Sequence, residues 1–155
     1  MNAKEYLEKN KNINRGFRKL VVWQEAVNLY SFVDDLLSKV KITSYKVKAQ
    51  VEDSIFSVPS NIAEGYYRRS IKENIQFINI ALSSLGENYS QVFTLFNAEK
   101  VSEDIFNEYD KLHYSLENKL INFNKSMLNK LSKDADWKND YTIKEMMIKY
   151  GEISE

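Results

Sequence analysis

The amino-acid sequence predicts an all-α protein, an antiparallel up-down-up-down four-helix bundle with a short additional C-terminal helix. Four long segments repeat apolar residues every three or four positions, which is the spacing of one helix face. The 155 residues include only four glycines and one proline, too few for the many tight turns of a β protein. Short linkers separate the four segments, so consecutive helices should run antiparallel.

Composition and charge narrow the class of protein. Lys and Arg equal Asp and Glu at 22 each, whereas domains that bind nucleic acid usually carry a strong basic excess. Cysteine is absent, which excludes disulfides and thiolate metal sites and favours a cytoplasmic location. No run of eighteen apolar residues occurs, and the N-terminus lacks the apolar core of a secretory signal. We therefore expect neither a membrane span nor export.

The composition divides the chain into three parts. Residues 1–16 form a basic polar N-terminal arm, residues 17–131 form the bundle, and residues 132–155 form a C-terminal extension. Residues 1–22 contain six basic and two acidic side chains. A solvated tail is the simpler interpretation of this charge run, and contact with a partner is the alternative.

The first predicted helix of the bundle follows Gly16. Its apolar stripe consists of Leu20, Trp23, Val27, Tyr30, Val33, Leu37 and Val40. Further apolar residues lie beside that stripe and widen it, namely Val22, Ala26, Leu29 and Leu36. One neighbouring helix cannot cover so wide a face, so this helix should be central in the bundle or part of an oligomer interface.

The second predicted helix contains the only proline, Pro59, in the stretch SVPSNIAEGYYRRS. An apolar stripe consists of Val47, Val51, Ile55, Val58 and Ile62, and a polar stripe of Gln50, Ser54, Ser57, Asn61, Glu64 and Arg68. Both stripes pass through Pro59 in phase, so we expect one continuous helix that Pro59 kinks. Water or the hydroxyl of Ser54, Ser57 or Ser60 would then satisfy the freed carbonyl of Ile55. The alternative is a helix that ends at Val58 and a second one that begins at Pro59.

The third and fourth predicted helices have recognisable starts. Ser70 and Glu73 form a capping box, and Ser102 precedes two acidic residues that suit a helix N-terminus. The third helix has an unbroken apolar seam of Ile71, Ile75, Ile78, Leu82, Leu85, Tyr89, Val92 and Phe96. The fourth has a stripe of Ile105, Tyr109, Leu112, Leu116, Leu120, Phe123, Met127 and Leu131.

The C-terminal extension contains a second capping box at Thr142 and Glu145, which predicts a short helix. Its apolar residues are Trp137, Ile143, Met146, Met147 and Tyr150. This face either folds back on the bundle or docks a partner, because Met-rich faces adapt to different partners.

Two stretches carry a family resemblance. FRKLVVWQEAVNLY and SVPSNIAEGYYRRSIKENIQFINIALSSLGENYSQV resemble the four-helix-bundle proteins encoded by 23S rRNA intervening sequences. That family includes the accessory variability determinants of diversity-generating retroelements, and the resemblance covers residues 17–131. The residues that match its motifs are Leu20, Trp23, Ser57, Pro59, Asn61, Ile62, Ala63, Glu64, Gly65, Ala81, Ser84 and Glu87.

The resemblance implies a four-helix protomer that assembles into a homopentamer, without enzymatic activity. It also implies that the retroelement members bind a reverse transcriptase and nucleic acid. Those members are strongly basic, whereas this chain is neutral and has Glu52, Asp53, Ser54 and Ile55 before the motif. The difference favours protein contacts over nucleic acid.

A set of polar residues on the second and third predicted helices should form a hydrogen-bonded layer that fixes the register of the bundle. The set consists of Ser57, Asn61, Glu64, Ser84 and Glu87. The competing interpretation is a catalytic pair of Glu64 and Glu87. A di-metal bundle requires Glu-x-x-His on its helices, and His113 is the only histidine and lacks that partner. We therefore expect no catalytic residue, metal or cofactor.

Basic residues should gather at one end of the bundle, because an antiparallel second helix returns to the start of the first. The set consists of Arg15, Arg18, Lys19, Arg68, Arg69 and Lys72.

The function that the sequence favours is a non-enzymatic, homo-oligomeric scaffold or adaptor for protein partners, with a retroelement reverse transcriptase as one candidate partner. The alternative is an RNA- or DNA-binding accessory protein that uses this basic rim.

Overall fold

A computed structural model describes residues 3–9, 16–40 and 44–132, and these residues form helices without a strand. The helices are α1 (Ala3–Lys9), a short 3-10 helix (Gly16–Lys19), α2 (Val21–Lys39), α3 (Tyr45–Tyr66), α4 (Ile71–Asn97) and α5 (Glu103–Ser132). The predicted all-α four-helix bundle is confirmed, with α2 to α5 as its four helices. The predicted C-terminal helix lies outside the described residues.

Helices α2 to α5 form a closed ring in chain order. Each helix packs against its neighbours in the chain, α2 also packs against α5, and among the described residues the backbones of diagonally opposite helices do not come within 8 Å of each other. Short connections give antiparallel neighbours, as predicted: Ser57 of α3 meets Ser84 of α4, while Gly65, later in α3, lies against Asn74, earlier in α4.

The buried face of α2 differs from the predicted central stripe. The buried positions include four residues that we expected only at the edge of the face, namely Val22, Ala26, Leu29 and Leu36. Two residues of the predicted stripe, Val33 and Leu37, are buried as expected. By contrast, the predicted stripe residues Leu20, Trp23, Tyr30 and Val40 are half-buried and pack at the margin of the core. The helix is rotated toward its smaller residues because these fit the centre of a four-helix ring, whereas large aromatic rings fit between helices.

Helix α5 shows a similar shift. Tyr109, Leu116 and Leu120 are fully buried as predicted, but Leu112 and Leu131 are 39% and 41% exposed. Phe106 and His113 occupy buried positions that the predicted stripe omits. The predicted seam of α4 agrees better with the structure, because each of its residues is either buried or packed against the core.

Helix α3 runs through Pro59 without a break, which confirms the continuous helix over the two-helix alternative. Pro59 itself is buried. None of the three nearby serines donates to the carbonyl of Ile55: Ser54 bonds Val51 and Gln91, Ser57 pairs with Ser84, and Ser60 donates to Phe56. Packing of the apolar face therefore holds the proline-containing turn in the helix.

The ends of α4 explain the tight connections on either side. Ser70 caps the N-terminus, since its Oγ accepts the Glu73 amide at 3.2 Å, as the sequence predicted. At the C-terminus, Glu99 adopts a left-handed conformation with φ of 57°. The amide of Glu99 donates to Phe96 and that of Lys100 to Leu95. This is a Schellman motif, which satisfies the last carbonyls and turns the chain toward α5.

Candidate functional site

A half-buried polar cluster joins α3 and α4. The hydroxyls of Ser57 and Ser84 lie 2.9 Å apart, and the Nδ2 of Asn61 donates to both the carbonyl and the Oγ of Ser57, at 2.8 and 2.9 Å. The structure thus brings together three of the five residues that the sequence assigned to a polar layer. They reach one another because α3 and α4 are antiparallel, so that these positions lie at the same height.

The two carboxylates of the predicted layer have other partners. Glu64 is exposed and forms an ion pair with Arg68, one turn later in the same helix. Glu87 is exposed and accepts a hydrogen bond from Gln91 at 3.2 Å. Glu64 lies beside Gly65, which meets Asn74, whereas Glu87 lies beyond Ser84, which meets Ser57. The two carboxylates are therefore at different heights along the bundle and do not form the pair considered for catalysis.

A second, deeper polar network was missed by the sequence analysis. Asn88 is fully buried, and its Nδ2 donates to the carbonyl of Val51 at 3.1 Å and to the Oγ of Ser54 at 3.0 Å. Its Oδ1 accepts the hydroxyl of Tyr109 at 2.8 Å. The network continues outward, since Ser54 donates to Gln91 at 2.7 Å. It therefore connects α3, α4 and α5 through the interior of the bundle.

The position of Asn88 was visible in the sequence, because it is in phase with Ala81, Leu85, Val92 and Leu95 on α4. A polar residue at a seam position of a helical bundle commonly specifies register. The network is the buried counterpart of the surface layer that we predicted. A register-fixing role, for either set, remains a prediction.

The network also changes the titration of its tyrosine. Burial raises the pKa of Tyr109 far above the usual range, and the nearby Tyr89 and Asp110 raise it further. The pKa of Tyr89 is raised too, first by burial and then by its hydrogen bond to Asp110. Both phenols therefore remain protonated donors at neutral pH, as their hydrogen bonds require.

The predicted basic residues lie at one end of the bundle as far as the structure describes them. The ring of Phe17, beside Arg18 and Lys19, contacts Tyr67 at the end of α3 with centroids 5.8 Å apart. The residues after Tyr67 begin the connection to α4, so Arg69 and Lys72 lie at this end as well. Arg15 lies outside the described residues.

These basic side chains differ in their exposure and in whether they form ion pairs. Lys19, Arg69 and Lys72 are exposed and form no ion pair with any described residue. Arg68 instead pairs with Glu64 and places its guanidinium over the ring of Phe77, 4.3 Å from the centroid. Arg68 is therefore partly structural, whereas the charges of Lys19, Arg69 and Lys72 have no ion-pair partner in the described part of the chain.

Several apolar side chains remain uncovered along α3 on the side of α2. Tyr45, Ala49, Phe56 and Ala63 share this face of the helix with Glu52, which forms an ion pair with Lys48. Tyr45 is 84% and Phe56 is 59% exposed, and the Phe56 ring contacts Tyr30 of α2 with centroids 5.7 Å apart. We call Tyr30, Tyr45, Ala49, Phe56 and Ala63 the α2–α3 stripe.

The remaining candidate sites lie outside the described residues or in the core. The C-terminal docking face of Trp137, Ile143, Met146, Met147 and Tyr150 lies outside the described residues. His113 is buried and its Nε2 lies 3.0 Å from the carbonyl of Leu85.

The described residues contain no group of three or more His, Cys, Asp or Glu side chains that could hold a metal ion. Nor does any described helix have the length and apolar character needed to cross a membrane.

Comparison with known proteins gives a family match and a shared fold. The family model of the 23S rRNA-intervening sequence protein matches residues 18–122. A similar solved structure is a protein of unknown function from the S23 ribosomal protein family of Bacteroides thetaiotaomicron, with 22% sequence identity and a TM-score of 0.57. That similarity covers 68% of this chain and 99% of the other, and it shows the fold alone. No protein with a curated description matches this chain.

Proposed function

Because this chain belongs to the 23S rRNA-intervening sequence protein family, we propose that it is a non-enzymatic, homo-oligomeric scaffold that acts through protein–protein contacts. The α2–α3 stripe carries this proposal, since Phe56 and Tyr45 leave large apolar surfaces without cover in the protomer. Uncovered apolar faces of this kind mark interaction sites in soluble proteins. We assign the stripe to a second copy of the chain.

The assembly that we propose is the homopentamer implied by the family resemblance, located in the cytoplasm. A reverse transcriptase of a retroelement is the protein partner that the same resemblance implies. The separation of the two carboxylates supports a non-enzymatic role, because Glu64 is paired with Arg68 and Glu87 is bonded to Gln91. A pair of neighbouring carboxylates was the arrangement in this polar set that was best suited to general acid–base catalysis.

Light scattering coupled to size exclusion tests the oligomer. We expect the wild-type protein to have five times the mass of its protomer, and Phe56→Asp to reduce the mass to that of smaller species. The physical reason is that a carboxylate at the centre of an apolar interface must be desolvated without a partner. Ile80→Asp is the matched control, because Ile80 is an exposed apolar residue, 46% accessible, on the outer face of α4.

Two results would contradict this proposal. A wild-type protein that is a stable monomer at micromolar concentration would exclude the scaffold. A folded Phe56→Asp variant that keeps the wild-type mass would place the interface elsewhere. Circular dichroism of both variants shows whether the helices remain folded, which separates loss of assembly from loss of fold.

A second candidate function is binding of RNA or DNA at the basic end of the bundle. The observation that favours it is the exposure of Lys19, Arg69 and Lys72 at the same end of the bundle, with no ion-pair partner among the described side chains. Phosphate contacts by Lys and Arg dominate the affinity of such proteins and make it depend on salt. A symmetric oligomer would repeat this cluster around its axis.

The double variant Arg69→Glu, Lys72→Glu tests that function by fluorescence anisotropy with a labelled RNA or DNA. We expect binding to weaken at least tenfold and its dependence on log salt to become shallower by one to two units, about 0.7–0.9 per lost phosphate contact. Lys46→Glu, Lys111→Glu is the control, because it changes the net charge equally on other exposed surfaces. Wild-type protein that fails to bind at low salt would exclude nucleic acid as a ligand.

A further inference from the structure

A groove between α4 and α5 takes no part in the proposed function. It has a volume of about 250 Å3 and is lined by Gly86, Tyr89, Asp110, His113, Tyr114 and Glu117. The groove lies away from the α2–α3 stripe, since α4 and α5 are on the other side of the ring.

Gly86 is an exposed glycine in the interior of α4, where glycine costs about 1 kcal/mol relative to alanine. A Cβ at this position would meet no atom within 4 Å. The packing of the protomer therefore gives no reason for a glycine here. Its effect is to leave the wall of the groove open, so that another molecule can approach the backbone of α4.

His113 contributes a hydrogen-bond acceptor. The side chain is only 5% exposed, and its Nε2 lies 3.0 Å from the carbonyl oxygen of Leu85. A carbonyl accepts and cannot donate, so Nε2 carries a proton, and in the tautomer with a single N–H the Nδ1 is an acceptor. That Nδ1 has no hydrogen-bond partner among the described residues, although the imidazole lines the groove.

Asp110 and Glu117 contribute negative charge. The hydroxyl of Tyr89 donates to one oxygen of Asp110 at 3.0 Å, which leaves the other oxygen free. Neither carboxylate forms an ion pair with any residue that the structure describes. Besides burial and the hydrogen bond to Asp110, the charges of both carboxylates raise the pKa of Tyr89, as expected for two acids that face the same ring.

The groove therefore presents acceptors and aromatic surface. Asp110, Glu117 and His113 offer lone pairs, while Tyr114 offers a ring that is 65% exposed. The complementary group is a cation that donates several hydrogen bonds and accepts none. A guanidinium fits best, since it has five donors in a plane and stacks on aromatic faces. An ammonium has three donors and does not stack as a plane.

We propose that this groove binds an arginine side chain presented by a protein partner. A protein source is favoured because the groove is open and smaller than the 300–1,000 Å3 of typical small-molecule sites, which suits one side chain. Arginine and tyrosine are also enriched among the residues that dominate protein interfaces. The inference names the chemistry of one partner contact and rests on the scaffold function proposed above.

The test uses the full-length protein with 3-fluorotyrosine incorporated at position 114. We expect the peptide acetyl-Gly-Arg-Gly-amide to shift the fluorine resonance saturably, with a Kd on the order of 1–10 mM for one side chain. The same peptide with citrulline is the matched ligand, because citrulline has nearly the same shape without the charge. Its binding should be at least tenfold weaker.

Variants assign the binding to the groove. The double variant Asp110→Asn, Glu117→Gln should weaken binding of the arginine peptide at least tenfold. Gly86→Leu should prevent its binding by filling the groove. Glu108→Gln removes a charge from an exposed position of α5 outside the groove, and it should leave binding unchanged. Circular dichroism checks that each variant is folded.

The following results would overturn the inference: no shift up to 50 mM peptide, equal binding of the citrulline peptide, or full binding by the folded double variant. Spermidine that binds a hundredfold tighter than the peptide would assign the groove to a free polyamine instead of a protein. Light scattering on the same samples measures the oligomer separately. Wild-type protein that has the expected oligomeric mass but does not bind the peptide contradicts this inference alone. Wild-type protein that is a monomer and binds the peptide contradicts the scaffold alone.

Discussion

At the scale of single residues, two glycines inside helices differ in whether packing requires a residue without a Cβ. A Cβ on Gly65 would lie 2.8 Å from the Oδ1 of Asn74 and 2.8 Å from the Cβ of Phe77, both on α4. A Cβ on Gly86 would meet nothing within 4 Å. Gly65 thus permits the close approach of α3 to α4, whereas no contact among the described residues requires Gly86.

Gly65→Ala should therefore destabilise the protein by about 1–3 kcal/mol. The new methyl group would overlap with Phe77 at a carbon next to its backbone, so the two helices must move apart. Gly86→Ala is the matched control, and it should stabilise the protein by about 0.5–1 kcal/mol through helix propensity. Urea denaturation of both variants measures these changes. Equal effects of the two substitutions would show that the close approach at Gly65 is not important.

At the scale of the helices, periodicity located each element but did not always identify its buried face. On α2 the residues Trp23 and Tyr30 and the residues Ala26 and Leu29 all satisfy a spacing of three or four. Hydrophobicity alone favoured the larger residues, whereas packing in a ring of four helices placed the smaller ones at the centre. Periodicity succeeded on α4 because its apolar seam is narrow and leaves one orientation.

The buried network of Asn88 and Tyr109 is also a property of the helices, since it exists only where α3, α4 and α5 meet. Tyr109→Phe should destabilise the protein at pH 8 by about 1–3 kcal/mol, because the buried Oδ1 of Asn88 loses its donor. Tyr114→Phe is the control on the same helix, as Tyr114 is 65% exposed. Urea denaturation should detect a change of less than about 0.5 kcal/mol for the control.

The effect of Tyr109→Phe should depend on pH in a defined direction. Burial raises the pKa of Tyr109 in the folded state, whereas an unfolded tyrosine ionises near pH 10. Above about pH 10 the unfolded chain releases a proton that the folded protein keeps, so wild-type stability falls by up to about 1.4 kcal/mol per pH unit from this group. The Tyr109→Phe variant has no phenol at this position, so its stability does not fall for this reason. The difference in stability should narrow between pH 10 and 11, and a constant difference would contradict the assignment.

At the scale of the whole molecule, the antiparallel topology decides which distant residues become neighbours. Lys19 and Arg69 are fifty positions apart in the chain, yet the contact of Phe17 with Tyr67 shows that they lie at the same end of the bundle. The short linkers were sufficient to predict this arrangement. They could not predict that Arg68 would be held by Glu64 and Phe77, because that depends on the side-chain packing at the end of α3.

The sequence by itself determined the helical class, the family, the continuity of α3 through Pro59 and the cap at Ser70. Each of these depends on local spacing or on residues a few positions apart. Only the tertiary structure decided that Asn88 is buried with Tyr109, that Glu64 and Glu87 have separate partners, and that Gly86 opens a groove beside His113. These features depend on the rotation of each helix about its axis, which is set by packing against neighbours from distant parts of the chain.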